Sequence, residues 1–228
     1  MFDFFSLKDI NSIDKKYRID NVVKSNTSKF RQKVKILVID DKEFTPLKNL
    51  QQHGYTIHVL KNLPSIETIK DYQIILCDLK GVGLDFNREG QGAYLIKEIK
   101  KAYPSKIVIA YTGGADDAET IFKAKKHADN FLLKDADIEE WTDNLDRYIN
   151  DVMNPVYSWK IIRVSLLEQD VSPYELAKLE DKFVNSLINK NINTFDKYIK
   201  SINLSSSIVN MLSTCIKMMQ IWNEITND

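Results

Sequence analysis

Four short apolar runs each deliver a polar side chain where they end. Val34–Ile39 is followed by Asp40 and Asp41, and Gln73–Cys77 by Asp78. Lys106–Tyr111 is followed by Thr112, and Asn130–Leu133 by Lys134. If these runs are neighbouring parallel strands, three carboxylates, one hydroxyl and one ammonium converge at one edge of a sheet. That edge, outside the carboxyl ends of the strands, is where open α/β sheets bind ligands. Crowded carboxylates repel one another and favour a hard divalent cation, and oxygen ligands with open positions suit Mg²⁺. With the cation in place one carboxylate can act as a nucleophile. The ammonium and the hydroxyl are then placed to hold the oxygens of an incoming phosphoryl group. The chemistry this set supports is phosphoryl transfer onto an aspartate.

The elements needed to position these residues are present in the pattern. A fifth run, Thr56–Leu60, completes a set of five predicted strands. Between and after them, Phe44–His53, Ser65–Tyr72, Gly92–Tyr103, Asp117–His127 and Asp137–Ile149 carry helical spacing. Within Gly92–Tyr103, for example, Tyr94, Leu95, Ile96 and Ile99 fall to one side and Lys97, Glu98, Lys100 and Lys101 to the other. Strands alternating with helices mean βαβ units and a parallel sheet covered on both faces. The runs at 34–39, 73–77 and 106–111 are almost uninterruptedly apolar, as strands buried on both faces should be.

The segment 33–151 resembles the receiver domain of two-component response regulators, over about half the chain. Ile36-Leu37-Val38-Ile39-Asp40-Asp41 is similar to the family's acidic pair, and Ile74-Ile75-Leu76-Cys77-Asp78 to its phospho-acceptor strand. Thr112 matches the conserved hydroxyl, Lys134 the invariant lysine, and Phe131 the aromatic whose rotamer changes on activation. The resemblance implies a flavodoxin-like, doubly wound five-stranded parallel sheet in the order 2-1-3-4-5. It implies Asp78 as phospho-acceptor, with Asp40, Asp41 and Asp78 holding Mg²⁺. Thr112 and Lys134 would bind the phosphoryl oxygens, and Thr112 and Phe131 would form the switch.

Several residues depart from that pattern. Asp135 stands after Lys134, where the family usually has a proline with a cis peptide. The stretch Leu79 to Gln91 is longer than the usual loop, and its insertion 81–90 is expected to act as a lid or a partner contact. Lys80 sits two residues past Asp78, at a position that influences phosphoryl lifetime; pairing with Asp85 or Glu89 is the plain alternative. Gly113 and Gly114 leave no side chain to position an attacking water, so slow self-dephosphorylation is expected. Gly81-Val82-Gly83 lacks the third glycine and the helix start of a dinucleotide loop. His53, His58 and His127 lack metal-ligand spacing.

From about Asn154 the strands stop. Ser172-Pro173-Tyr174-Glu175 is a capping box with proline at the first helical position, and opens a helix to about Lys190. Val156–Leu167, a short helix from Asn193-Thr194 to Ile202, and a last helix after Ser205–Ser207 complete a small all-α bundle. In the last helix Ile208, Leu212, Cys215, Met219 and Trp222 form one stripe. Val209, Met211, Ile216, Met218 and Ile225 lie off it, which suggests a homodimer or a helical partner bound through 153–228. The expected organisation is an extension and linker over 1–32, with Lys24–Ser28 as the linker, a receiver over 33–152 and the helical domain over 153–228.

The 228 residues carry 32 basic and 32 acidic side chains, which argues against a binder of nucleic acid or membrane surfaces driven by charge. The C-terminal region has neither a glycine for a tight helix-turn-helix turn nor a basic recognition helix, so a DNA-binding output ranks low. It has no histidine either, and cannot be a histidine phosphotransfer bundle. Two cysteines do not make a disulfide framework, no apolar stretch approaches the ~18 residues of a membrane span, and the N-terminus lacks a signal-peptide pattern; a cytoplasmic protein is expected. The expected role is phosphorelay signalling: a histidine kinase or phosphotransfer protein donates to Asp78, and a helical interaction region reads the change. No enzymatic activity beyond its own phosphorylation and dephosphorylation is expected. A receiver that buffers a relay as a phosphate sink, and a scaffold indifferent to phosphorylation, are the alternatives.

Overall fold

The protein, seen in a computed structural model, is described over residues 7–113 and 118–226. Five strands, β1 (Lys35–Ile39), β2 (Thr56–Leu60), β3 (Ile74–Asp78), β4 (Ile107–Thr112) and β5 (Asn130–Leu133), pair in parallel in the order β2-β1-β3-β4-β5. Three helices precede the sheet: α1 (Ile10–Tyr17), α2 (Ile19–Ser25) and α3 (Thr27–Lys33). Around it run α4 (Leu47–Gln52), α5 (Gln91–Ala102), α6 (Ala118–Lys125) and α7 (Ile138–Met153). Then come α8 (Pro155–Glu168), α9 (Pro173–Ile188), α10 (Asn193–Ser201) and α11 (Ser206–Thr226). The described chain forms two compact units. Ser28–Ile149 is one, and the residues up to Thr27 together with those from Asn150 are the other.

In the sheet unit, every residue of β3 and β4 is buried, and β1 is buried after Lys35. These are the central strands, covered on both faces, which is why their sequences are continuously apolar. The edge strands β2 and β5 are only partly buried, and their sequences are correspondingly mixed. One face packs Leu37, Ile39, Ile75, Cys77 and Val108 against Leu95, Ile96 and Ile99 of α5. The connection from β2 to β3, expected as a helix over 65–72, is a 3-10 helix over Ile66–Asp71. The tether is short, and Leu63 and Ile69 are both drawn fully into the core, so one tight segment suffices.

The linker expected at Lys24–Ser28 is helical instead, and the segment up to Thr27 belongs with the C-terminal helices. Asp9 caps α1 by accepting the Asn11 and Ser12 N–H groups, and Ile10, Ile13, Ile19 and Val23 are buried. Two acidic side chains of α9 hold the start of this segment. Glu180 Oε1 accepts the Ile10 N–H at 2.8 Å, and Asp181 Oδ1 accepts the Lys8 N–H at 3.1 Å. Each helix is too short to show a clear period in sequence, and its partners lie more than a hundred residues away.

Within the same unit, Ser172 caps α9 as its sequence predicts, accepting the Glu175 N–H at 3.2 Å. Trp159 and Phe183 stack at 4.7 Å, with Phe195 edge-on to Phe183 at 5.5 Å. The additional apolar residues of α11 find cover here: Met211, Met218 and Ile225 are buried and Ile216 is half-buried, leaving Val209 as the exposed one of the five. The sequence argument for a second chain on this helix therefore loses most of its surface. No helix among the described residues is long and apolar enough to cross a membrane, and Cys77 and Cys215 are free and buried.

Candidate functional site

Parallel register aligns the strand ends. Ile39 is level with Cys77 and Asp78 with Tyr111, while Thr112 is level with Leu133. The residues just beyond therefore share one edge of the sheet. Asp40 and Asp78 are buried, and Asp41 is exposed. One carboxylate oxygen from each of Asp40, Asp41 and Asp78 lies within 4.8 Å of the other two.

Lys134 stands between the two buried carboxylates. Its Nζ donates to Asp78 Oδ2 at 2.6 Å and to Asp40 Oδ2 at 2.9 Å. Backbone groups hold the other oxygens: Asp78 Oδ1 accepts the Leu79 N–H at 2.7 Å, and Asp40 Oδ1 the Lys42 N–H at 2.9 Å. The Lys134 backbone N–H donates to Thr112 O at 2.8 Å, which ties β5 to the end of β4. Asp135 follows without a cis peptide, none being present among the described residues.

The two carboxylates are displaced in opposite senses. Burial raises the Asp78 carboxyl above the usual range; Lys134 opposes this, and the nearby Asp40 charge adds to it. Burial also pushes Asp40 up, but hydrogen bonds from Tyr111 and Lys134 outweigh it, and Asp40 lies below the usual range. Burial disfavours the charged form of Lys134, yet its bonds to Asp78 and Asp40 prevail and hold its ammonium above its ordinary value.

Of the remaining expected residues, Thr112 is buried at the same edge, and Phe131 is half-buried against the sheet core with Lys125 Nζ 5.5 Å above its ring. Lys80 is exposed just past the acceptor strand. Gly113 is exposed, with open space where a side chain would stand. Gly114 lies outside the described residues.

The 81–90 insertion is fastened rather than open. Val82 is buried in the sheet core, Gly81 N–H donates to Gln91 Oε1, and Gly83 N–H donates to Asn62 Oδ1. Asn62 in turn donates to Asp85 Oδ2 at 2.8 Å. Two glycines allow close approach to the acidic residues. Gly81 has φ +75°, and a Cβ there would stand 2.5 Å from the Asp41 carboxylate. A Cβ on Gly92 would stand 1.9 Å from the Asp78 carbonyl oxygen.

Sequence reading passes over Tyr111 as a mere strand residue. Its hydroxyl reaches past β3 and donates to Asp40 Oδ2 at 2.6 Å. The signal was its position, a polar tip on the last residue before Thr112 at a strand exit.

The donor set, three carboxylates with hard oxygens, fits a divalent cation such as Mg²⁺. Fold and strand-end residues together define a flavodoxin-type parallel sheet unit with an acidic cluster at one edge, in a chain that also carries a helical unit. No family model and no curated protein matches the sequence. Among solved structures, about half the chain is similar to response-regulator receiver domains. A response regulator from Thermotoga maritima is 20% identical, with 51% of this chain and 97% of that chain covered at a TM-score of 0.41. The NtrX receiver domain from Brucella abortus is 24% identical, with 50% and 97% covered at 0.42. A CheY-like receiver protein from Methanospirillum hungatei JF-1 is 18% identical, with 51% and 94% covered at 0.42.

Proposed function

We propose that this chain is a response-regulator-like phosphorelay protein that accepts a phosphoryl group on Asp78. The observation that carries the reading is the Lys134 ammonium bridging Asp78 and Asp40, with Asp41 beside them. The donor is a phosphohistidine on a kinase or phosphotransfer protein. An Asp78 oxygen attacks the phosphorus, a P–O bond forms as the P–N bond breaks, and the imidazole leaves with the bonding pair and takes a proton from water. Bound Mg²⁺, held by Asp40, Asp41 and Asp78, would supply positive charge against the phosphoryl oxygens. Lys134 swings its donors from the two carboxylates to the same oxygens, and Thr112 contributes its hydroxyl.

Chemistry beyond this self-phosphorylation and slow self-dephosphorylation forms no part of the reading. Output follows from loss of the Lys134 bridge: a local change of charge biases a two-state element, Thr112 with Phe131, and the helical unit passes it to a protein partner or a second copy. Light scattering with and without Mg²⁺ and a small acyl phosphate tests this output. A change in assembly size, or in capture of a partner, supports it. A phosphorylated chain that stays a monomer and captures nothing points to a phosphate sink, and indifference to both reagents points to a scaffold.

A further inference from the structure

Tyr111 occupies a place that the proposed phosphoryl transfer does not by itself explain. It is the penultimate residue of β4, level with Asp78, yet its hydroxyl serves Asp40 on the far side of β3. Phe44 and Trp141 meet its ring edge-on, at centroid distances of 5.8 and 6.2 Å, and each other at 5.4 Å. All three rings are buried, so the hydroxyl is held by an aromatic wall beside the carboxylates.

We propose that Tyr111 is a positioning residue for cation binding, holding Asp40 in its ligating orientation whether or not Lys134 is bound to it. The inference rests on the reading of Asp40 as a Mg²⁺ ligand. Asp40 Oδ2 now accepts from both Lys134 and Tyr111. When Lys134 turns to the phosphoryl oxygens, Tyr111 becomes the remaining side-chain donor on Asp40. A hydrogen-bond donor behind a ligating carboxylate fixes its direction, and loss of such a group typically weakens metal affinity about 10- to 100-fold. The ring cannot drift to follow the loss, because Phe44 and Trp141 hold it on two sides.

Calorimetric titration of the full chain with Mg²⁺ tests this in the native protein, Tyr111→Phe and Trp141→Phe. The first variant removes the hydroxyl and keeps the ring. The second loosens the ring wall and keeps the hydroxyl. Tyr111→Phe is expected to weaken Mg²⁺ binding at least ~10-fold. Trp141→Phe, which loosens the wall but keeps the hydroxyl bond to Asp40, is expected to lower the melting temperature and to weaken Mg²⁺ binding less than Tyr111→Phe does. Equal or tighter binding by Tyr111→Phe, or an equal loss in both variants, overturns the proposal. No binding by the native chain instead defeats the metal reading on which it rests. Should Tyr111→Phe fail to fold, near-ultraviolet difference absorption of the native chain decides. Mg²⁺ drawing charge from Asp40 weakens the bond it accepts and shifts the tyrosine band, whereas binding without a shift contradicts the role.

Discussion

The Lys134 ammonium donates to Asp78 at 2.6 Å, across the gap between the ends of two strands that are not neighbours in the sheet. β4 lies between them, so the lysine reaches past it and goes on to Asp40 at 2.9 Å. Two buried carboxylates are thus kept together by one cation of the chain itself. Replacing it in Lys134→Met leaves both facing each other without that charge. A loss of stability on the order of 1–3 kcal/mol is expected from denaturant unfolding without Mg²⁺. Saturating Mg²⁺ should narrow the gap to the native chain, because a second positive charge reaches the same oxygens.

Asp78→Asn should act in the opposite direction. The carboxyl of Asp78 is held above its usual range by burial, so the folded chain carries a cost when the group is ionised. That cost is absent below the ordinary carboxylate value of about 4 and complete above the raised one. Without Mg²⁺ the variant is expected to melt higher than the native chain at pH 7, by roughly 2–4 °C per kcal/mol relieved. The difference should vanish on acidification to about pH 3, below the ordinary carboxylate value. A variant that melts lower at pH 7 would show the carboxylate to be net stabilising.

Cation affinity should follow the same group. A ligating carboxylate must give up its proton, so affinity falls up to about tenfold per pH unit below the raised value of Asp78. Mg²⁺ at 100 times its dissociation constant is expected to stabilise the chain by about 2.7 kcal/mol. Melting curves at pH 7 and pH 5, at one Mg²⁺ concentration, should show the larger increment at pH 7.

The approach of α5 to the acceptor strand gives a steric test. Gly92→Ala places a methyl group 1.9 Å from the Asp78 carbonyl oxygen, and backbone on one side must yield. Overpacking of this kind costs about 1–3 kcal/mol, and here it moves the end of β3 itself. Denaturant midpoint and phosphoryl uptake are both expected to fall. A variant that keeps native uptake would show that the acceptor tolerates movement of its strand.

The sheet was legible because its central strands are buried on both faces. Val34–Ile39, Gln73–Cys77 and Lys106–Tyr111 read as apolar runs, and the structure places β1, β3 and β4 within one residue of them at either end. The charged residues at the exits were legible for the same reason, since they interrupt those runs abruptly. Tyr111 was not, because an aromatic at the end of a strand reads as core until its hydroxyl partner is known. The short helices before the sheet were hidden differently. The start of α1 is held by Glu180 and Asp181, acidic residues that in sequence belong to the polar side of α9. The insertion at 81–90 reads from sequence as a lid or a partner contact, while Val82 in the core and the Asn62 bridge fasten it through contacts remote in sequence.

The central claim is that Asp78 accepts a phosphoryl group, and intact mass tests it most directly. The native chain and Asp78→Asn are incubated with Mg²⁺ and a small acyl-phosphate donor, then weighed. One phosphoryl adduct on the native chain and none on the variant is the expected result. No adduct on the native chain, or the same adduct on both, would contradict the account.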